Sequence, residues 1–157
     1  MLRIGLGQDS HKLIKDKGKF VLGGVVVSEE YYLEADSDGD VVIHSLCNAL
    51  STAIGGGSLD TWAGEMNRKG VTDSREFLRV IFEKVKKLGY KINNVAVMVE
   101  AREPGLEKHR DKMQESLAKL LEIKKDQVGM AFTTGDELTS FGRGEGIQAG
   151  VTVVIEK

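Results

Sequence analysis

Two apolar periodicities interleave along this chain, and together they leave few architectures open. Val95, Val97 and Val99 recur at every second position, and Ile147 to Ile155 reads the same way, as expected of strands in a packed sheet. Val42, Leu46, Ala49, Leu50 and Ala53 recur instead at threes and fours. So do Phe77, Leu78, Ile81, Val85 and Leu88, and later Met113, Leu117, Leu120 and Leu121. That spacing lines one side of an α-helix. The order strand, helix, helix, strand, helix, strand, strand predicts an α/β (α+β sandwich) fold, with one mixed β-sheet and helices packed on one face. A length of 157 residues suits a single domain over 1–157.

Local signals set the expected boundaries. Leu2 to Leu6 reads as a first strand. Phe20–Leu22 and Val25–Val27 flank Gly23-Gly24 as short strands about a turn. The first helix opens near Ser37-Asp38-Gly39-Asp40, whose hydroxyl and carboxylates can cap free N–H groups, and Gly55-Gly56-Gly57 stops it. Ser58 to Thr72 reads as a loop. Asp73-Ser74-Arg75-Glu76 resembles a capping box opening the second helix, and Gly89 ends it. Strands are expected at Asn94–Val99, Val128–Phe132 and Ile147–Ile155, with a third helix over Glu107–Leu121.

Composition excludes some partners. The 22 basic and 24 acidic residues leave a net charge of −2, which argues against a nucleic-acid partner held by bulk electrostatics. No apolar run nears the ~20 residues that cross a bilayer, and the N-terminus lacks the apolar segment of a signal peptide. Cys47 is the only cysteine, so no internal disulfide and no cysteine-based zinc site can form. A cytoplasmic protein without a membrane partner is the expectation.

Few residues remain that could carry chemistry. Asp9 and His11 are two apart after the first strand, so on extended chain their side chains point the same way. Asp40, His44 and Asn48 are spaced by four and form a polar stripe on an otherwise apolar helix. If that helix packs beside the strand end, Asp9, His11 and His44 offer one carboxylate and two imidazoles, the three-ligand pattern of catalytic zinc. His44 could instead simply bond Asp40. His109 flanks an apolar helix face and reads as a packing residue. The Ser37–Asp40 turn serves equally as an N-cap or as an orienter of the metal ligands. Thr133-Thr134-Gly135-Asp136 follows a strand and offers hydroxyls and N–H groups to phosphate, with Asp136 a candidate Mg²⁺ ligand. An ordinary turn is the plainer reading. Arg143, between Gly142 and Gly144, suits an anion or a pair with Glu145.

These segments together resemble one family, the 2-C-methyl-D-erythritol 2,4-cyclodiphosphate synthases. The resemblance runs through Ile4-Gly5 to Asp9-Ser10-His11, Gly23-Gly24-Val25, and Ser37-Asp38-Gly39-Asp40 with His44. Asp73-Ser74-Arg75-Glu76, Asn94-Val95, Thr133-Thr134 and Phe141-Gly142-Arg143-Gly144-Glu145-Gly146-Ile147 complete it in order. It implies a metal-dependent phosphorus–oxygen lyase of the non-mevalonate isoprenoid (terpenoid) pathway. The substrate would be 4-diphosphocytidyl-2-C-methyl-D-erythritol 2-phosphate, giving the 2,4-cyclodiphosphate and CMP. It also implies a homotrimer with its sheets facing the three-fold axis, and a central cavity able to take an isoprenoid diphosphate. Zn²⁺ would sit on Asp9, His11 and His44, and Mg²⁺ or Mn²⁺ would bridge the substrate diphosphate. Asp36 and Thr134 would be catalytic. Substrate would also touch Asp9, His11, Ser37, Ser58, Leu59, Asp60, Ala101, Pro104, Gly105, Leu106, Thr133, Gly135, Asp136 and Arg143, with the cytidine-diphosphate pocket, the Ala101–Leu106 loop and the Thr133–Asp136 turn, supplied by a neighbouring subunit.

The chain departs from the family pattern at several points. Asp36 stands where the family has histidine, Asn48 where it has aspartate, Gly105 where it has lysine, and Asp136 where it has glutamate. Ser58-Leu59-Asp60 replaces Asp-Ile-Gly, and the Phe-Pro-Asp stretch that follows is missing at Trp62-Ala63-Gly64-Glu65. Those changes leave a second reading, a divergent trimer that binds phosphorylated isoprenoid intermediates without turning them over. A zinc phosphohydrolase would need a general base, and only Asp36 or Asp40 is to hand.

Overall fold

A computed structural model describing residues 1–157 contains eleven regular elements. In chain order they are β1 (Leu2–Ile14), β2 (Phe20–Leu22), β3 (Val25–Ser28), β4 (Tyr32–Glu34), α1 (Val41–Ala53), α2 (Asp60–Arg68) and α3 (Ser74–Lys87). Then come β5 (Lys91–Glu100), α4 (Arg110–Leu120), β6 (Val128–Thr133) and β7 (Gly146–Glu156). Five strands form one mixed sheet in the order β4-β1-β7-β5-β6, and β2 and β3 make a separate hairpin about Gly23-Gly24. Only β5 and β6 run parallel. That direction needs a crossover, which α4 provides.

One face of the sheet is covered and the other is open. Val95, Val97 and Val99 of β5 and Ile147, Ala149, Val151, Val153 and Ile155 of β7 are buried against the helices. The opposite face leaves Leu2, Ile4, Leu6 and Met98 exposed. The helical stripes point inward as their spacing predicts, apart from Leu88, which lies half exposed at the end of α3.

Three expectations need correction. The first strand does not stop at Leu6. It pairs with β7 from Leu2↔Glu156 to Lys12↔Gly146, because the last strand supplies partners for backbone whose side chains are polar. The stretch from Ser58 to Thr72 is not all loop, since α2 forms within it. Trp62 anchors that helix by donating Nε1–H to Phe77 O at 3.1 Å, and Ala63 is buried. Asp73 caps α3 at Arg75 N (3.0 Å), but Glu76 turns forward to Arg79 at 2.8 Å, so no capping box closes. The short β4 had no sequence signal.

The contact that positions the site is glycine against helix. Gly5 and Gly7 of β1 face α1 so closely that a Cβ on Gly7 would lie 2.0 Å from Ser45 O, and one on Gly5 1.8 Å from Ala49 O. Thr52 and Asn48 of α1 then satisfy β1 backbone groups at Leu6 and Gln8. Gly7→Ala is expected to cost about 1–3 kcal/mol through overpacking. By contrast Gly64→Ala, inside α2 with its nearest neighbour 3.7 Å from the new Cβ, should stabilise by roughly 0.5–1 kcal/mol. Thermal melts of the two variants should move in opposite directions, and equal shifts would contradict this packing.

Candidate functional site

Gly5, Gly7, Asp9 and His11 alternate along one face of β1, so the face that admits α1 at the glycines carries Asp9 and His11 next. α1 arrives with His44 one turn from its start, and His44 is buried. Its Nδ1 lies 3.0 Å from Asp9 Oδ2, His11 Nε2 lies 3.1 Å from the same oxygen, and the two nitrogens are 3.4 Å apart. Burial works against ionising Asp9, but hydrogen bonds to His11 and His44 outweigh it and bring the carboxyl down to about 2.

The other ring nitrogen of His44 is fixed independently. Nε2 lies 2.7 Å from Ser74 Oγ and 3.3 Å from Ser37 Oγ. The Ser74 hydroxyl donates to Asp38, which also accepts from Ser74 N at 3.1 Å. Having given its proton to Asp38, Ser74 accepts from His44 Nε2–H, so with a metal ion in place of the Nδ1 proton that donates to Asp9, the Nδ1 lone pair would be the ligating one. The Ser37–Asp40 turn therefore orients a ligand through Ser74, a residue whose sequence context showed only a helix start.

The polar stripe on α1 splits up. Asp40 turns away to accept from Ile43 N, Gly23 N and Gly24 N at 3.0, 2.9 and 2.7 Å. Asn48 reaches Gln8 O and Leu59 N. Only His44 enters the site, and it bonds Asp9 rather than the Asp40 side chain.

Asp9, His11 and His44 are the one His/Asp/Glu/Cys group in the chain spaced to hold a metal ion. A tetrahedral ion ~2.0–2.1 Å from each ligand would separate the ligand atoms by about 3.3 Å, which the observed spacing nearly meets. The buried Asn67 Oδ1, without a hydrogen-bond partner, belongs to a residue in the wall of the same cavity. The donor set fits a divalent ion. In the metal-free protein Asp9 has a folded-state pKa below its ordinary value of 3.8. Its stabilisation is therefore fully present above that value and lost as pH falls toward 2, about 2 kcal/mol in all. An acid titration of metal-stripped wild type against Asp9→Asn should show it, and coincident curves would refute it.

Two cavities gather most of the other expected residues. The first, about 130 Å³, joins the three ligand residues to Asp36, Ser37, Leu59 and Asp60. The second, about 460 Å³, is lined by Ala101, Arg102, Pro104, Gly105, Leu106, Thr133 and Thr134, with Glu107, Lys108 and Phe132. It lies at the carboxyl ends of the parallel pair β5 and β6, where two loops leave a sheet edge together. The two linings share no residue. Ser58, Gly135, Asp136 and Arg143 line neither, and Arg143 Nε pairs with Glu145 at 2.9 Å. His109 is half-buried and not part of either lining.

The turn after β6 is unusual. Gly135, Asp136 and Glu137 take positive φ of 71°, 47° and 63° in succession, a conformation costing roughly 1–2 kcal/mol for each residue with a Cβ. The Thr139 hydroxyl bridges Glu100 and Gly142 N, and Arg102 reaches Glu137 at 2.7 Å. Gly135 and Asp136 are residue types that take positive φ readily, whereas nothing in the residue type of Glu137 announced it.

A family model described as the YgbB family matches residues 2–156. The 2-C-methyl-D-erythritol 2,4-cyclodiphosphate synthase of Chlamydia muridarum is 38% identical over 149 residues, which is 93% of this chain and 83% of that one. Among solved structures, the bifunctional IspDF from Campylobacter jejuni superposes with a TM-score of 0.92 at 29% identity, over 99% of this chain and 42% of that chain. The IspF of Plasmodium falciparum, solved as a CDP complex, superposes with a TM-score of 0.87 at 26% identity, over 98% and 95%.

Proposed function

The chain belongs to the YgbB family, and from that membership we propose how its residues divide the family's reaction between them. It is an enzyme of isoprenoid biosynthesis that converts 4-diphosphocytidyl-2-C-methyl-D-erythritol 2-phosphate to 2-C-methyl-D-erythritol 2,4-cyclodiphosphate and CMP. The observation that carries this reading is the convergence of Asp9, His11 and His44 on β1 and α1, with their ligand atoms 3.0–3.4 Å apart.

In the reaction, an oxygen of the substrate's 2-phosphate forms a bond to the β-phosphorus while the bond from that phosphorus to the oxygen bridging it to the α-phosphorus breaks. The departing oxygen leaves as part of CMP. Both reactants are anions, so alignment and charge neutralisation are the main tasks, and no side-chain nucleophile is needed. Zn²⁺ on Asp9, His11 and His44, with Mg²⁺ or Mn²⁺ at the diphosphate near Asp136, would supply polarisation and charge neutralisation. Ser74 and Asp38 hold His44 in its ligating tautomer. Asp36, Ser37, Leu59 and Asp60 form the pocket for the methylerythritol phosphate end. Asp36 acts there as a carboxylate, so its role is to orient substrate hydroxyls. The Ala101–Leu106 loop takes the cytosine, and the Thr133 and Thr134 hydroxyls donate to the diphosphate.

Because the two cavities share no lining residue, we place them on different subunits of one active site, in a homotrimer that buries the apolar face of Leu2, Ile4, Leu6 and Met98. An isoprenoid diphosphate would fit the axis of such a trimer. The span 1–157 would act as one domain, in the cytoplasm, where a lone buried thiol such as Cys47 stays reduced. Incubating the protein with substrate, Zn²⁺ and Mg²⁺ should yield equal CMP and cyclic diphosphate by ³¹P NMR and chromatography. Substrate that binds but stays intact would favour the non-catalytic reading, and a monomer in sedimentation would overturn the shared site.

A further inference from the structure

The second cavity contains a cation that is already engaged. Arg102 lines it beside Thr133 and Thr134, yet its Nη1 lies 2.7 Å from Glu137 Oε1, across on the turn after β6. This pair spans the two loops that make the cavity walls. From Arg102 to Gly105 the first loop makes no backbone hydrogen bond, so side-chain ties set its position. On the other wall, Glu137 sits in a left-handed backbone conformation directly after left-handed Asp136.

Both partners are substantially exposed, 44% for the Arg102 side chain and 66% for that of Glu137. An ion pair in that setting is weak and readily exchanged. A phosphate offers a guanidinium paired charge-assisted bonds that are stronger. We propose that Arg102 exchanges Glu137 for a phosphate oxygen of the nucleotide when the diphosphate enters this cavity. Glu137 is then a competitor built into the site, which keeps the walls joined until the ligand takes its place. This rests on the cytidine diphosphate reading of the cavity.

Calorimetric titration of the full-length protein with CDP tests the exchange. Arg102→Gln should weaken CDP binding about tenfold, as the loss of a charge-assisted contact does. Glu137→Gln should tighten it by about two- to fivefold, the size of an exposed ion pair. The double variant should match Arg102→Gln alone, since Glu137 competes only through Arg102. If wild type binds CDP but both single variants weaken it, or Arg102→Gln has no effect, the exchange is wrong while the nucleotide reading stands. Wild type that ignores millimolar CDP overturns both.

Discussion

His44→Ala is expected to empty the metal centre and reduce turnover by roughly a thousandfold or more. The substitution removes one of three ligands, and Lewis-acid polarisation contributes several kcal/mol to phosphoryl transfer, with each 1.36 kcal/mol worth a factor of ten. It also leaves Ser74 Oγ and Asp9 without their imidazole partner. The fold should survive, because His44 sits at the rim of the core while Val42, Ile43, Leu46 and Cys47 around it stay buried. Metal content by mass spectrometry, turnover by CMP release and far-UV circular dichroism separate these effects. His109→Ala is the matched control, since the third histidine lies outside both cavities, and it should keep full metal stoichiometry. Full turnover in His44→Ala would remove the basis of the proposed metal chemistry.

The largest stability effect is expected at Asp40, which never touches the site. Its fully buried carboxylate caps α1 at Ile43 N and holds the β2–β3 turn through Gly23 N and Gly24 N. Asp40→Ala forfeits an N-cap, at about 0.5–2 kcal/mol. It also strands two further N–H groups at about 1–3 kcal/mol each. Together these come to roughly 2.5–8 kcal/mol, a fall in melting temperature of about 5–30 °C for a chain of this size. A drop of only one or two degrees would show that water replaces the carboxylate.

Asp40 also carries a pH signature. Burial pushes its carboxyl up to about 6 against its backbone donors, and the charge of Asp38 adds to the rise. A raised folded pKa means that the folded state holds the proton longer. The associated stabilisation is therefore present below the ordinary 3.8 and is lost as pH rises through about 6. Asp40→Asn should flatten the stability profile between pH 4 and 7, and a variant that retains the wild-type slope there would assign it to other groups.

Much of the architecture was legible because its signals are local. The valines of β5 alternate and the stripes on α1 and α3 recur at helical spacing, and each pattern reports one buried face wherever the partner lies. The two-residue spacing of Asp9 and His11 likewise guarantees a common side on extended chain, and the structure retains it. The short α2 was not legible, because its nine residues include Gly64 and bury only Ala63 fully. The far half of β1 was missed for a related reason. Its strand character comes from pairing with β7, at the other end of the chain, and no property of Asp9 to Ile14 encodes a partner that distant.

The same division runs through the site. Residue types and spacing in the sequence determined that a carboxylate and imidazoles were available, and on which local faces. Tertiary structure decided which of them meet. Gly5 and Gly7 let α1 lie on β1, so His44 falls beside Asp9 and His11 while Asp40 and Asn48, on the same stripe, are drawn off by Gly23, Gly24 and Leu59. Ser74 joined the metal centre and Arg102 met Glu137 only once distant segments packed together. The physical reason is range. Side-chain periodicity and capping act over a few residues, whereas hydrogen-bond satisfaction inside a core is a competition among all the groups that folding brings within about 3 Å of one another.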